Sequence, residues 1–226
     1  MGTVIFDLDG TLADTSGDLI AAANAAFAAL GLDARLDPAH DAGTALRGGR
    51  AMLTLGLSRM GPVDAGLVDR GYPILLEAYG AAIDRHTRLY PGAMQAVAAL
   101  KSAGFATAIC TNKPEALADT LLTRLGIRDA FGALIGADTL PVRKPDPEPL
   151  REAARQAGGD PARCLLVGDS DTDRKTARAA GVPCILVTFG PSGEDMAALE
   201  PEALLDDYAA LPALAAQLLG DPRAGS

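Results

Sequence analysis

The chain has 226 residues and a net charge of −9 at pH 7, from 29 acidic and 20 basic residues. This acidic balance argues against nucleic acids and anionic membranes as partners, because both bind basic patches. Hydrophobic residues make up 49% of the chain, which is enough for a substantial core in one large domain or two modest ones.

The sequence shows no recognisable targeting signal, and its cysteine spacing is typical of a cytoplasmic protein. The N-terminus has no basic segment followed by a long apolar stretch, and no apolar run reaches the roughly 18 residues of a membrane span. Cys110, Cys164 and Cys184 are an odd and widely spaced set, so we expect reduced core thiols and neither a disulfide framework nor a zinc site. We therefore expect a cytoplasmic protein that does not bind membranes. The sequence does not give its oligomeric state, which we leave open as a monomer or a homodimer.

The first predicted element lies in residues 3–13, Thr-Val-Ile-Phe-Asp-Leu-Asp-Gly-Thr-Leu-Ala. Its apolar run, Val4 to Phe6, predicts a buried strand of a parallel sheet. Asp7 and Asp9 follow at the carboxyl end, where such sheets place their ligands. Side chains at i and i+2 of an extended chain share a face, so the two carboxylates should lie about 7 Å apart at the Cα atoms. Their repulsion requires a cation or a shared proton.

Residues 15–86 contain no strand candidate. Stretches rich in Ala and Leu predict helices at residues 17–30, 51–60 and 62–85, with a Pro-containing loop at 33–43. An all-helical block directly after the first strand predicts a separate cap domain. The predicted domains are a core of residues 1–14 and 87–226 and a cap of residues 15–86.

From residue 92 onward, helix and strand patterns alternate. The predicted strands are 105–110, 133–136, 164–168 and 183–188, and the predicted helices are 92–103, 114–125, 147–157 and 172–180. With the first strand, this alternation predicts an α/β core, a doubly wound, Rossmann-like parallel sheet with helices on both faces and right-handed crossovers.

Polar residues follow two of these strands and precede helices. Thr111, Asn112 and Lys113 come after one strand, where a hydroxyl and main-chain N–H groups at a helix start make a phosphate cradle. Lys144 lies in a Pro-containing turn just before another helix. A hydroxyl, amides and an ammonium are groups that bind phosphate oxygens.

Acidic residues follow the strand at 164–168. Asp169 and Asp173 should converge with Asp7 and Asp9, because the carboxyl ends of parallel strands meet at one edge of the sheet. Four negative charges there require a divalent cation, and oxygen ligands favour Mg²⁺, which pairs with substrate phosphate oxygens. Asp171 is better explained as a solvated turn or cap residue than as a ligand.

Taken together, these motifs resemble the haloacid dehalogenase-like superfamily of phosphatases. The matching stretches are Asp7-Leu-Asp-Gly-Thr-Leu, Ile109-Cys-Thr-Asn-Lys, Lys144-Pro-Asp-Pro and Gly168-Asp-Ser-Asp-Thr-Asp. The helical insert after the first stretch matches the helical-cap branch, in which the chain is most similar to phosphoglycolate phosphatases. The resemblance implies the sheet order 5-4-1-2-3, counting core strands along the chain. It also implies hydrolysis of a small phosphorylated metabolite, with 2-phosphoglycolate as the first candidate.

The resemblance assigns roles to the acidic residues of the first and last motifs. Asp7 would be the nucleophile that forms an aspartyl-phosphate, and Asp9 would protonate the leaving alcohol and then activate water. The Asp7 carboxylate, the Asp9 main-chain carbonyl and Asp169 would bind Mg²⁺. Dehalogenases of the superfamily lack the second Asp, so Asp9 argues against that chemistry.

The other motif residues are assigned to the phosphoryl group. Thr111 and the Asn112 amide would hold its oxygens. Lys144 would neutralise charge between nucleophile and substrate, and Asp173 would orient the metal shell or Lys144.

Two questions stay open at this stage. Arg47 and Arg50 flank two glycines in the cap, and they would either bind a substrate carboxylate or be solvated at a helix end. A sugar-phosphate phosphatase or a phosphoglucomutase-like phosphotransferase is an alternative on the same scaffold. A phosphate-binding or phospho-accepting regulatory domain is the non-enzymatic alternative, against which Asp9 and the cap argue.

Overall fold

The computed structural model describes residues 1–191, 195–220 and 222. These residues form two compact units. The first contains Met1–Ala13, Leu89–Gly190 and the described residues from 195 onward, and the second contains Asp14–Arg88 with Pro191. In the described part of the chain, the helices are too short or too polar to cross a bilayer.

The regular elements are, in chain order, β1 (Thr3–Phe6), β2 (Ala13–Asp14), α1 (Ser16–Ala29), α2 (Pro38–Ala45), α3 (Gly49–Ser58), α4 (Ala65–Ala81), β3 (Arg88–Leu89), α5 (Ala93–Ala103), β4 (Ala106–Cys110), α6 (Glu115–Arg124), β5 (Ala133–Ile135), α7 (Glu148–Gln156), β6 (Cys164–Gly168), α8 (Asp171–Ala180), β7 (Cys184–Val187), β8 (Ala203–Leu205) and α9 (Leu211–Leu219). The short strands β2 and β3 pair with each other in a separate two-stranded sheet.

A six-stranded parallel sheet forms the centre of the first unit, in the order β5-β4-β1-β6-β7-β8. Counted as core strands along the chain, the predicted order 5-4-1-2-3 corresponds to β7-β6-β1-β4-β5, so the predicted order and the α/β class are confirmed. The sixth strand, β8, extends the sheet at the β7 edge and was not predicted. Its three residues, Ala-Leu-Leu, are apolar, but such a short run does not distinguish a strand from a helix, and only Leu205 is buried.

The core of this unit lies where helices cover the sheet. Ile5, Leu166 and Leu186 of the sheet join Leu150 of α7 and Ala177 of α8 in one buried apolar cluster. The helices α5 and α9 pack against each other and against β4 and β6, respectively. The three cysteines are free and buried, as expected from their spacing.

The second unit is helical, with α1 packed against α2, α3 and α4. The close approach of α1 and α3 depends on Gly56, because a Cβ atom there would meet the Phe27 ring at 2.2 Å. Asp18 of α1 is buried, and its carboxylate accepts hydrogen bonds from the main-chain N–H groups of His86 and Thr87 and from the Thr87 hydroxyl.

Two sequence predictions in this unit were wrong. Residues 38–43, expected within the loop 33–43, belong to α2, because Pro38 occupies the first helical position and the Asp37 carboxylate accepts from the Ala39 N–H at 2.8 Å. The next long helix begins at Ala65, later than the predicted start at Pro62, because Asp64 caps it through the Gly66 N–H.

Candidate active site

Two neighbouring strands bring Asp7 and Asp169 together. Asp7 directly follows β1, and its main-chain N–H donates to the Val167 carbonyl of β6 at 2.9 Å. Asp169 directly follows β6, which pairs with β1 in parallel. Because both strands end at the same edge of the sheet, the two carboxylates are placed side by side.

Asp173 completes a cluster of three carboxylates. One oxygen from each of Asp7, Asp169 and Asp173 lies within 4.8 Å of the others. Asp173 lies in the first turn of α8, and Gly168 allows this turn to approach β6, because a Cβ atom at Gly168 would meet the Asp173 side chain at 2.4 Å. The Ser170 hydroxyl fixes Asp173 further by donating to its carboxylate at 2.6 Å.

Burial disfavours the ionised forms of Asp7 and Asp169. Burial raises the pKa of Asp7 to about 6, against the opposing effect of Lys144 and with further increases from Asp173 and Asp9. Burial and then the charge of Asp173 also raise the pKa of Asp169 well above its ordinary value. A bound cation stabilises the ionised forms of carboxylates that are held this close together.

Lys144 supplies one positive charge at the cluster. Its ammonium lies 2.6 Å from a carboxylate oxygen of Asp173 and 3.2 Å from one of Asp7, and the side chain is 2% exposed. Burial disfavours the charged ammonium, but Asp173 and Asp7 outweigh this and raise the pKa of Lys144 above its usual value. The amide of Asn112 donates to the Lys144 carbonyl at 3.0 Å, which ties the turn carrying Lys144 to the end of β4.

Asp9 lies beside a different lysine. The Lys113 ammonium donates to both Asp9 carboxylate oxygens, at 2.8 and 2.9 Å. The main-chain N–H of Lys113 donates to the Thr111 hydroxyl at 3.2 Å. The two predicted phosphate-site residues, Thr111 and Asn112, therefore belong to one loop that also contacts Asp9.

Thr11 is a site residue that the sequence analysis did not single out. Its hydroxyl donates to Asp169 at 3.0 Å, and its carbonyl accepts from the buried Tyr208 hydroxyl at 2.7 Å. The signal was present, because Thr11 belongs to the same first motif as Asp7. Tyr208, by contrast, lies far along the chain in a stretch without a site motif.

The remaining candidates are Asp171 in the first unit and Arg47 and Arg50 in the helical unit. Asp171 is half exposed and pairs with Lys175 one helical turn later at 2.6 Å, as expected of a solvated helix-start residue. Arg50 belongs to the helical unit, where one guanidinium nitrogen lies 2.7 Å from an Asp69 carboxylate oxygen. Its guanidinium carbon lies over the Tyr72 ring, 4.9 Å from the ring centroid. Arg47 precedes α3 in the same unit.

Comparison with known proteins identifies the family. The protein-family model described as haloacid dehalogenase-like hydrolase matches residues 1–181 of this chain. A phosphoglycolate phosphatase of Mesorhizobium japonicum is 41% identical over 209 residues, which cover 92% of either chain.

Solved structures agree in fold. One described as a predicted phosphoglycolate phosphatase of Haemophilus somnus has a TM-score of 0.83 and 26% identity, and covers 95% of this chain and 97% of that chain. CbbY of Rhodobacter sphaeroides, solved in complex with phosphate, has a TM-score of 0.73 and 28% identity, and covers 93% of this chain and 96% of that chain. The predicted family and the predicted enzyme class, a phosphatase, are confirmed. The chain belongs to the haloacid dehalogenase-like hydrolases.

Proposed function

We propose that this phosphatase hydrolyses 2-phosphoglycolate to glycolate and phosphate, with Mg²⁺ bound and with Asp7 as the nucleophile. The observation that carries this proposal is the meeting of Asp7, Asp169, Asp173 and Lys144 at one edge of the sheet. The substrate is proposed from the relatives named phosphoglycolate phosphatase, which match this chain over most of its length.

The acidic cluster fits Mg²⁺ in chemistry. Its donors are carboxylate oxygens, the ligands that this ion prefers. A divalent cation would offset the free-energy cost of burying these carboxylates and of their mutual repulsion. We propose that Asp7, Asp169 and the Asp9 main-chain carbonyl hold the ion, while Asp173 mainly positions Lys144. Bound Mg²⁺ would supply positive charge that polarises the phosphoryl group.

Asp7 and Asp9 would carry the covalent steps. An Asp7 oxygen attacks phosphorus, the ester P–O bond breaks, and the leaving oxygen takes a proton from Asp9. A water molecule then attacks the phosphorus of the aspartyl-phosphate, gives a proton back to Asp9 and releases phosphate with Asp7 regenerated. Proton transfer of this kind contributes about 10²–10⁴-fold, so most of the acceleration must come from positioning and electrostatics.

Thr111, Asn112 and Lys144 would supply much of that electrostatic stabilisation. We propose that the Thr111 hydroxyl and the Asn112 main-chain N–H hold phosphoryl oxygens, since the Asn112 side chain already donates to the Lys144 carbonyl. The Lys144 ammonium, held by Asp173, would offset the charge that develops between Asp7 and the phosphoryl group.

We also propose that the helical unit is the cap domain and that its Arg47 and Arg50 contribute to recognition of the substrate carboxylate. The proposed division remains residues 1–14 and 87–226 for the core and residues 15–86 for the cap. A cap of this kind would exclude water while the phosphoryl group is transferred to Asp7.

A substrate panel tests the proposal. Purified protein is assayed with 2-phosphoglycolate, several sugar phosphates and p-nitrophenyl phosphate, with Mg²⁺ and with EDTA, and Asp7→Asn serves as the control. We expect turnover only with Mg²⁺, the highest kcat/KM for 2-phosphoglycolate and no turnover by Asp7→Asn. Acid quenching during turnover, followed by peptide mass spectrometry, should place a phosphoryl group on Asp7.

The other outcomes have distinct meanings. Turnover of sugar phosphates that equals or exceeds that of 2-phosphoglycolate would contradict the proposed substrate and favour a sugar-phosphate phosphatase. Transfer of the phosphoryl group to a second sugar position would favour a phosphotransferase. Stable phosphorylation of Asp7 without turnover of any ester would favour a regulatory domain.

A further inference from the structure

Lys113 and Asp9 form a largely buried ion pair. The Lys113 side chain is 4% exposed and that of Asp9 is 15% exposed, and one ammonium bonds both carboxylate oxygens. Desolvating an ammonium and a carboxylate costs free energy, which is recovered only when the pair is well bonded. The pair is therefore a specific arrangement and differs from exposed pairs such as Lys175–Asp171.

The fold fixes the donor as firmly as the acceptor. The strands β1 and β4 are neighbours, with Phe6 opposite Ile109, so the residues that follow them lie side by side. The main chain of Lys113 is held by the Thr111 hydroxyl and by the Ala137 N–H, which donates to the Lys113 carbonyl at 2.9 Å. Asp9 in turn lies two residues after the proposed nucleophile.

We infer that Lys113 is a positioning residue for Asp9, and this inference rests on the proposed function. A carboxylate that exchanges a proton with the leaving oxygen must keep one oxygen directed at it. An ammonium that donates to both oxygens restricts rotation of the Asp9 side chain. It can stay hydrogen-bonded to one Asp9 oxygen while the other oxygen faces the substrate. Orientation of a reacting group lowers the barrier because its rotational freedom is lost before the reaction.

Two other roles for Lys113 predict different kinetics. A lysine that only stabilises the fold would affect all substrates alike through the amount of folded protein. A lysine that binds the phosphoryl group would also affect all phosphomonoesters alike, mainly through KM. A lysine that positions Asp9 should matter most for esters whose leaving group needs a proton.

The leaving group therefore provides the test. The value of kcat/KM covers the steps up to alcohol release, and an alkoxide needs the Asp9 proton whereas p-nitrophenolate leaves without one. We expect Lys113→Met to lower kcat/KM for 2-phosphoglycolate about 10–100-fold more than for p-nitrophenyl phosphate, within the range that general acid catalysis supplies. Lys101→Met is the matched control, because this exposed ammonium donates to the carbonyls of Asp129 and Ala130 and should leave the ratio unchanged.

A double-mutant cycle distinguishes positioning from direct action. In an Asp9→Asn background, Lys113→Met should produce no further change in the ratio of the two kcat/KM values, since the residue that it positions is already inactive. Thermal melting of each variant, and the retained p-nitrophenyl phosphate activity, report whether the protein is folded.

The outcomes separate this inference from the proposed function. A parallel loss for both esters in Lys113→Met, or additive effects in the double mutant, would overturn the role of Lys113 and leave the phosphatase mechanism standing. Absence of turnover by the unmodified protein toward either ester would overturn the proposed substrate and mechanism, and the inference with them.

Discussion

The Lys144 ammonium lies 2.6 Å from an Asp173 carboxylate oxygen, and both side chains are buried. Asp173 is itself held at the start of α8 by Ser170, so the position of Lys144 depends on how α8 begins. This contact explains why a residue in a turn, far from any strand, can be placed accurately beside Asp7.

Replacing Lys144 should therefore affect both stability and catalysis. Removal of one partner of a buried charge pair costs about 3–5 kcal/mol, because Asp173 and Asp7 would lose their cation. We expect Lys144→Met to lower the free energy of unfolding in urea by an amount in this range, measured without Mg²⁺, and to lower kcat by about 10²–10³-fold. Lys175→Met, which breaks an exposed pair, should change stability by less than about 1 kcal/mol. Similar stability losses in the two variants would contradict this account.

Binding of Mg²⁺ should depend on Asp169 and be indifferent to Asp171. A ligand that binds only the folded state at 100 times its Kd stabilises it by about 2.7 kcal/mol, which is visible as a rise in Tm. We expect Mg²⁺ to raise the Tm of the unmodified protein and of Asp171→Asn, and to have little effect on Asp169→Asn. If Asp169→Asn gained as much from Mg²⁺ as the unmodified protein, the proposed metal ligands would be wrong.

The Asp41–Arg59 pair should make the stability of the helical unit depend on acid pH. Two guanidinium nitrogens of Arg59 donate to the two Asp41 oxygens, at 2.6 and 2.9 Å, and the Asp37 N–H donates to Asp41 at 2.8 Å. The hydrogen bonds from Arg59 lower the pKa of Asp41 below its ordinary value. The unfolded chain therefore takes up the proton first, and the stabilisation is complete above about pH 4 and is lost as the pH falls through the folded-state pKa.

Urea unfolding at several pH values measures this effect. At neutral pH, Asp41→Asn should be less stable than the unmodified protein by about 1.5–3 kcal/mol, the range for hydrogen bonds to charged groups. The difference should shrink as the pH falls below about 4. The exposed Asp33 offers a control, because Asp33→Asn changes a surface side chain and should alter stability at neutral pH by less than about 0.5 kcal/mol. A difference for Asp41→Asn that does not change with pH would contradict the role of its charge.

Recognition of a substrate carboxylate by Arg47 or Arg50 is testable with a substrate that lacks it. We expect Arg47→Ala and Arg50→Ala to raise KM for 2-phosphoglycolate by about tenfold, the loss of one charge-assisted hydrogen bond or more, with little change for ethyl phosphate. Arg70→Ala, also in the helical unit, is the control. An equal change in KM for both esters would assign the arginines to structure, in which Arg50 already pairs with Asp69.

Much of the core was predictable because strong hydrophobic strands alternate with helices. The strand at Cys164–Gly168 was predicted with its observed bounds. The prediction for β1 was one residue too short, because the strand begins at Thr3 and was expected to begin at Val4. No element was predicted after residue 188. In the described residues between β7 and the edge strand β8 there is no α-helix, so β8 interrupts the alternation that identified the other elements. The helix α9 follows this short strand.

The site shows the same division between local pattern and tertiary contact. The spacing of Asp7 and Asp169 after neighbouring strands was enough to predict that they meet. The partner of Asp9 was not predictable, because Lys113 is one of several charged residues after strands and only the pairing of β1 with β4 selects it. The role of Thr11 required the Asp169 contact to be seen.

The central place of β1 also has a consequence for synthesis of the protein. Its apolar residues leave the ribosome well before both neighbouring strands, Ala106–Cys110 and Cys164–Gly168, are translated. During that interval the nascent chain carries an unpaired hydrophobic segment, which is the kind of species that aggregates or recruits chaperones. Residues 14–88 of the helical unit are translated within the same interval, so their early folding would shorten the loop that β1 must close to find its partners.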